Sequence, residues 1–274
     1  MANFDWYQAT IRGADPGEVL GGLLAHFDLS GLEPLTPKNG YQQGRRVRLG
    51  GLRICDVMWG GNPGVHVISS SYESRRVGDY LREAYPSHEC SRIDACEDWI
   101  EPGLFDKLSA VMLSFASSRR LSVNYAGDWH NNEGRSLYLG SPSSPLRLVL
   151  YEKGYERMHN GGHAAPRDWV RLEVRWRPKG DARLFSSRIT PGECFGLNWV
   201  RDLVERIGWD HLPKFTAGHI YRVSDDRRAR AALVRQYRHV IDRWVEEVGS
   251  PDALGPAIYD FASMLDKPLE VSDV

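Results

Sequence analysis

The feature that most limits the fold of this chain is a strict alternation of apolar and charged residues in its middle third. In WVRLEVRWR, residues 169–177, every second residue is apolar and those between are mostly Arg or Glu. In LRLVLYEK, residues 146–153, leucine occupies alternate positions 146, 148 and 150. Side chains of a strand alternate between its two faces. Both runs therefore predict strands with one apolar face, which helices must cover, and one polar face.

Helical patterns supply that cover. Apolar residues recur at helical spacing in DPGEVLGGLLAHFD and in EPGLFDKLSAVMLSFASSRR, and the first begins with an Asp cap and an early Pro. Further helices are predicted in CFGLNWVRDLVERIGW and DDRRARAALVRQYRHVIDRWVEEVG. We expect an α+β fold with a central antiparallel sheet and helices on one face over residues 1–180. A helical C-terminal region is expected over residues 181–274.

Composition excludes several classes of protein. The 274 residues carry a formal net charge of -1, so no global field favours nucleic acid, although a local basic face would suffice. The four cysteines form no C-x-x-C and have no zinc-like spacing to histidine. The sequence has no apolar run of membrane-spanning length and no secretory signal pattern at its start. A cytoplasmic protein without membrane contact is expected.

The predicted polar face gathers carboxylates, phenols and cations. It combines one strand each from SRIDACED, RSLYLGS, LRLVLYEK and WVRLEVRWR. Two carboxylates suit Mg²⁺ or Mn²⁺, arginines stabilise the charge of a reacting phosphodiester, and a tyrosine hydroxyl is able to attack phosphorus. The alternative interpretation is a solvated sheet face with cross-strand Arg–Glu pairs, which antiparallel sheets often have.

The order of these motifs adds a resemblance. SRIDACED, then SLYLGSPSSPLRLVLYEKGYE, then WVRLEVRW resembles the replication initiation factor family, over roughly residues 85–180. That family comprises rolling-circle initiators of plasmids and filamentous phages, with related relaxases. The resemblance implies a metal-dependent enzyme that nicks one strand of origin DNA, single-stranded or extruded as a hairpin. The enzyme would hold the 5′ phosphate on a tyrosine and later rejoin the ends.

The resemblance also implies roles for individual residues. Tyr138 of Y-L-G-S matches the nucleophile, and Tyr151 remains the second candidate. The metal-binding positions match Asp94 and Glu173. Lys153 and the phosphate-contacting Arg147 complete the expected catalytic set. The arginines predicted to contact DNA are Arg92, Arg135, Arg171 and Arg175.

Two departures from the family pattern leave alternatives open. The Y-x-G-S segment continues as S-P-S-S-P, so Pro145 stands where the family usually has asparagine and the usual basic residue is missing. No His-hydrophobe-His triplet is present, so any metal would depend mainly on carboxylates. No helicase motif is present either, which implies a host helicase as partner. A non-catalytic origin-binding protein is the alternative, and an α+β protein with an incidental polar face is a third possibility.

Overall fold

The computed structural model describes residues 2–28, 31–161, 164–208 and 225–265. These fall into two compact units, residues 1–220 and residues 221–274. The first unit contains the sheet and the predicted site. The predicted domain boundary near residue 180 remains a prediction, and side chains from residues 182–204 contribute to the core of the first unit.

One ten-stranded sheet organises the first unit. Its strands are β1 (Asn3–Ile11), β2 (Gly31–Pro34), β3 (Gln43–Leu49), β4 (Leu52–Trp59), β5 (Val65–Ser70), β6 (Glu89–Ile100), β7 (Val123–Asp128), β8 (Glu133–Leu139), β9 (Leu146–Glu152) and β10 (Trp169–Trp176). Their spatial order is β2-β3-β4-β5-β1-β6-β10-β9-β8-β7. Every neighbouring pair is antiparallel. The four motif-bearing strands β6, β10, β9 and β8 are therefore consecutive neighbours.

Seven helices belong to the described part of this unit. They are α1 (Pro16–His26), α2 (Glu73–Ala84), α3 (Leu104–Arg119), α4 (Lys153–His159), α5 (Ala182–Ser186), α6 (Pro191–Phe195) and α7 (Asn198–Arg206). Asp15 caps α1 as predicted, because its carboxylate accepts from the backbone N–H groups of Gly17 and Glu18.

The predicted fold class is confirmed. The leucines of β9 and the alternate apolar residues of β10 from Val170 to Trp176 are buried in one cluster with residues of α1–α3 and α5–α7. Polar side chains occupy the other face, which we call the open face. The open face contains a cleft, and α4 is the only described helix that contributes residues to its lining. Within the described residues, no helix has the length and apolarity needed to cross a membrane.

The second unit contains two described helices, α8 (Asp225–Val248) and α9 (Pro251–Leu265). The chain inside α8 departs from helical geometry at Tyr237, within the predicted helix. Trp244 of α8 packs edge-on against Phe261 of α9, with ring centroids 5.5 Å apart. The sequence did not predict α9, since Pro256 interrupts its helical pattern.

Candidate active site on the open face of the sheet

Two buried carboxylates lie at the centre of the open face. Asp94 on β6 and Glu173 on β10 have side chains only 2% and 3% exposed. The two strands pair with Asp94 opposite Arg175 and Cys96 opposite Glu173, so the carboxylates are diagonal neighbours. Burial raises the pKa of both groups above the ordinary range, although nearby arginines counter this effect.

Arginines neutralise both carboxylates. Arg92 donates from Nε to Asp94 at 2.9 Å and its guanidinium lies 4.6 Å above the ring of Trp6. Arg175 donates from Nε to Glu173 at 2.6 Å and lies 3.9 Å from Asp94. An unpaired buried carboxylate would be very costly. The two buried carboxylates on the open face are therefore each accompanied by a guanidinium group that balances their charge.

Tyr138 lies on β8 next to two of the predicted cations. Its half-buried ring has the Arg147 guanidinium 5.0 Å away and the Arg175 guanidinium 5.9 Å away. No described residue forms a hydrogen bond with the Tyr138 hydroxyl. The group is therefore available to an incoming ligand, with two guanidinium groups near its ring.

The Y-L-G-S motif explains how Arg147 reaches this position. Gly140 has φ +91°, and a Cβ there would lie 2.9 Å from the Leu146 carbonyl oxygen, so glycine is required. The Gly140 carbonyl accepts from Arg147 Nε at 3.2 Å. The turn at Gly140 thus lies between β8 and β9 and holds the Arg147 guanidinium near the ring of Tyr138.

Tyr151 occupies a more enclosed position on β9. Its hydroxyl donates to Glu173 at 3.2 Å and receives a longer 3.5 Å contact from Lys153 Nζ. Burial, followed by the charge of Glu173, raises the pKa of Tyr151 well above its ordinary value. The phenol is consequently held in its neutral form as a hydrogen-bond donor, which disfavours it as a nucleophile.

The structure corrects the predicted position of Lys153. This residue does not continue strand β9 but begins helix α4. There its ammonium group pairs with Glu156 three residues later. Gly154 permits the change of direction, since a Cβ at that position would collide with the Pro166 carbonyl oxygen. Lys153 is nevertheless brought to Tyr151 by this turn.

Arg171 shares the open face, but its donors are already used. It binds Asp98 through Nε and Nη2 at 2.7 and 2.8 Å and Asp5 through Nη1 at 2.6 Å. The residue is only 7% exposed. Such a buried, doubly paired arginine supports the β1–β6–β10 junction in the described structure. The DNA contact predicted for it would require these pairs to open.

Arg135 is placed on the helix-covered face, away from the other predicted site residues. It lies two residues before the buried Leu137 on β8 and so points to the same face of the sheet, and its guanidinium lies 4.4 Å from the Phe105 ring of α3. Its Nη2 donates to Glu152 at 2.9 Å. Helix α3 and Glu152 enclose this guanidinium, so the predicted DNA contact would require it to leave both partners.

Arg135→Ala is expected to lower the free energy of unfolding by about 3 kcal/mol, since Glu152 would lose its buried partner. Thermal or denaturant unfolding measures this loss. Arg75→Ala is the matched control, because Arg75 forms only exposed contacts whose loss should cost less than about 1 kcal/mol. Equal stability of the two variants would contradict a structural role for Arg135.

The donor set fits a small divalent cation with few protein ligands. No group of three or more His, Cys, Asp or Glu side chains in the described part of the chain is arranged to hold a metal. Mg²⁺, however, often uses one or two carboxylates together with water and substrate phosphates. Asp94 and Glu173 match that pattern in number and chemistry. To bind the cation they would have to separate from Arg92 and Arg175, which could then pair with a phosphate instead.

The fold is similar to that of a protein of solved structure. The chain is similar to the rolling circle replication initiator protein from Geobacillus stearothermophilus, with a TM-score of 0.50 and 19% sequence identity. The match covers 74% of this chain and 84% of that chain. The fold is thus similar to that of a rolling-circle initiator.

A family comparison supports the same conclusion from the sequence. Residues 107–196 match the family model described as replication initiation factor. The resemblance indicated by the motifs is thereby confirmed, and the matched segment includes Tyr138, Arg147, Tyr151, Lys153 and Glu173. No curated protein sequence matches the chain.

Proposed function

We propose that this protein is a rolling-circle replication initiator that nicks and rejoins one strand of origin DNA, with Tyr138 as nucleophile. The Tyr138 hydroxyl loses its proton and its oxygen attacks phosphorus, while the bond from phosphorus to the 3′ oxygen breaks and that oxygen takes up a proton. The 5′ phosphate stays on the tyrosine and the protonated 3′-OH becomes free to prime synthesis. The reverse transfer restores the phosphodiester and releases the tyrosine.

The single observation that carries this proposal is the setting of Tyr138. Its hydroxyl has no partner among the described residues, and Arg147 and Arg175 lie near its ring. Tyr138 and Arg175 also line a cleft of about 690 Å³ that is accessible from the open face. A phosphate bound over this tyrosine would meet two guanidinium groups that stabilise its additional charge during transfer.

The neighbouring residues suggest a division of work. Tyr151, kept neutral by burial beside Glu173, is suited to donate a hydrogen bond to the leaving 3′ oxygen rather than to attack. Asp94 and Glu173 would hold Mg²⁺ or Mn²⁺, which when bound would polarise the scissile phosphate. Arg92, released from Asp94, would then be free to contact the DNA backbone.

The proposal also includes partners. Origin DNA, exposed as a single strand or hairpin, is the proposed substrate, as the family resemblance implies. The chain shows no nucleotide-dependent helicase motif in its sequence. Strand separation beyond the nick is therefore assigned to a host helicase.

Removal of divalent metal is expected to abolish covalent attachment to DNA. Supercoiled origin-bearing DNA incubated with the protein and Mn²⁺ should yield a protein–DNA adduct on a denaturing gel, and chelation by EDTA should prevent it. Metal-independent adducts would contradict the proposed role of Asp94 and Glu173. Tight binding without any adduct, on a verified origin and with folded protein, would favour the non-catalytic origin-binding alternative.

A further inference from the structure

The cleft beside Tyr138 has a shape and chemistry of its own. It is bounded by the β7–β8 hairpin on one side and by helix α4 on the other, and its volume is about 690 Å³. This volume lies within the range of sites that enclose a small organic ligand. Tyr138 and Tyr155 contribute aromatic surface, while Ser136 and Glu133 contribute polar groups. We call this space the hairpin cleft.

Its charge decides which part of a DNA strand fits there. The walls carry Asp128, Glu133 and Glu156, of which Glu156 is paired with Lys153. Asp128 accepts bonds from the backbone of its own turn. Arg175 also lines the cleft, and its charge is paired with Glu173. Beyond the phosphate position at Tyr138 and Arg175, a second phosphate in the hairpin cleft would meet the unpaired Glu133 carboxylate, whereas a neutral base would meet aromatic rings and hydrogen-bond acceptors. One cation, the Arg167 guanidinium, lies 5.9 Å from the Tyr155 ring.

Glu133 is the group best placed to select among bases. It is exposed in the cleft wall at the start of β8, and no described residue forms an ion pair or hydrogen bond with its carboxylate. A carboxylate only accepts hydrogen bonds. It therefore favours base edges with donors. Guanine presents two adjacent donors, cytosine and adenine one amino group each, and thymine a single N–H between two carbonyls.

We infer that the hairpin cleft receives one unpaired nucleobase next to the phosphate bound at Tyr138, that Tyr155 stacks on it, and that Glu133 favours guanine there. Unpaired bases are commonly recognised by stacking on aromatic side chains together with hydrogen bonds to their edges. This inference rests on the proposed function, since it places the cleft beside the reacting phosphate. It assigns sequence preference to the β7–β8 hairpin and α4 rather than to the arginines of the open face.

Selection from a randomised pool of single-stranded DNA tests the inference without requiring the reaction. The full-length protein, in EDTA, is incubated with the pool, and bound strands are sequenced. Wild type should enrich guanine at one position by roughly tenfold over the other bases, in line with a carboxylate that accepts two hydrogen bonds. Glu133→Gln should lose most of this enrichment. Tyr155→Leu should lower the affinity for the whole pool by about tenfold.

Glu83→Gln provides the matched control. Glu83 is an exposed residue of helix α2. Its substitution by glutamine removes the same charge as Glu133→Gln, but at a position that does not line the cleft. Its preference should equal that of wild type. A preference that survives in Glu133→Gln, or wild-type selection without any base preference, would overturn the inference. Because no adduct is needed here, a protein that selects guanine but never nicks would overturn the proposed reaction while leaving the base-binding cleft supported.

Discussion

Tyr138→Phe is expected to abolish the covalent protein–DNA adduct, whereas Tyr151→Phe should still form it. Removing a nucleophile eliminates the chemical step, so the rate of adduct formation should fall by a factor on the order of 10³ or more. Loss of the Tyr151 hydroxyl removes its hydrogen bond to Glu173 at 3.2 Å, the longer contact from Lys153 and the proposed hydrogen bond to the leaving 3′ oxygen, but not the attacking group. We expect about a tenfold decrease in that variant.

The two variants are well matched as a pair. Each removes one hydroxyl from a tyrosine on the open face, and the strands β8 and β9 that carry them are neighbours. Both proteins should bind origin DNA with similar affinity in the absence of metal, because no charge changes. An adduct lost only in Tyr151→Phe would keep the reaction but transfer the nucleophile to Tyr151, despite the burial that keeps its phenol neutral.

Much of this site follows from strand alternation alone. Tyr138, Arg147, Glu173 and Arg175 lie on the open face because their strands β8, β9 and β10 are regular and their alternate residues are buried. The same rule places Arg135 with the buried Leu137, so its enclosed position could have been predicted from its parity. Regular strands therefore transmit their sequence pattern directly into the two faces of the sheet.

Other parts could not be predicted because they depend on irregular backbone or distant packing. The register of β1 shifts between Phe4 and Trp6, and Asp5 of β1 reaches Arg171 of β10 past the intervening strand β6. Nothing in the local sequence indicates this contact across more than a hundred residues. The hairpin cleft depends likewise on α4, whose first residue, Lys153, was predicted as strand. Tyr155 belongs to the same helix.

Glu173→Gln is expected to separate DNA binding from DNA cleavage. Adduct formation with Mn²⁺ should fall by at least about 100-fold, because one of two proposed metal-binding carboxylates is lost and Tyr151 loses its charged acceptor. Binding to the same origin fragment in EDTA should be unchanged or tighter, since the substitution removes a negative charge beside Arg175. Gel-based adduct assays and fluorescence anisotropy measure the two quantities.

The fold should tolerate this substitution for a physical reason. Burial raises the pKa of Glu173, which means that the site favours the neutral form of this side chain more than water does. Glutamine is neutral and similar in shape, and Arg175 retains Asp94 at 3.9 Å. Glu89→Gln, on β6 but paired with Arg12 away from the site, is the control and should keep full activity. Parallel loss of DNA binding and adduct formation in Glu173→Gln would show that this carboxylate supports the binding surface as a whole, rather than the metal-dependent transfer to Tyr138.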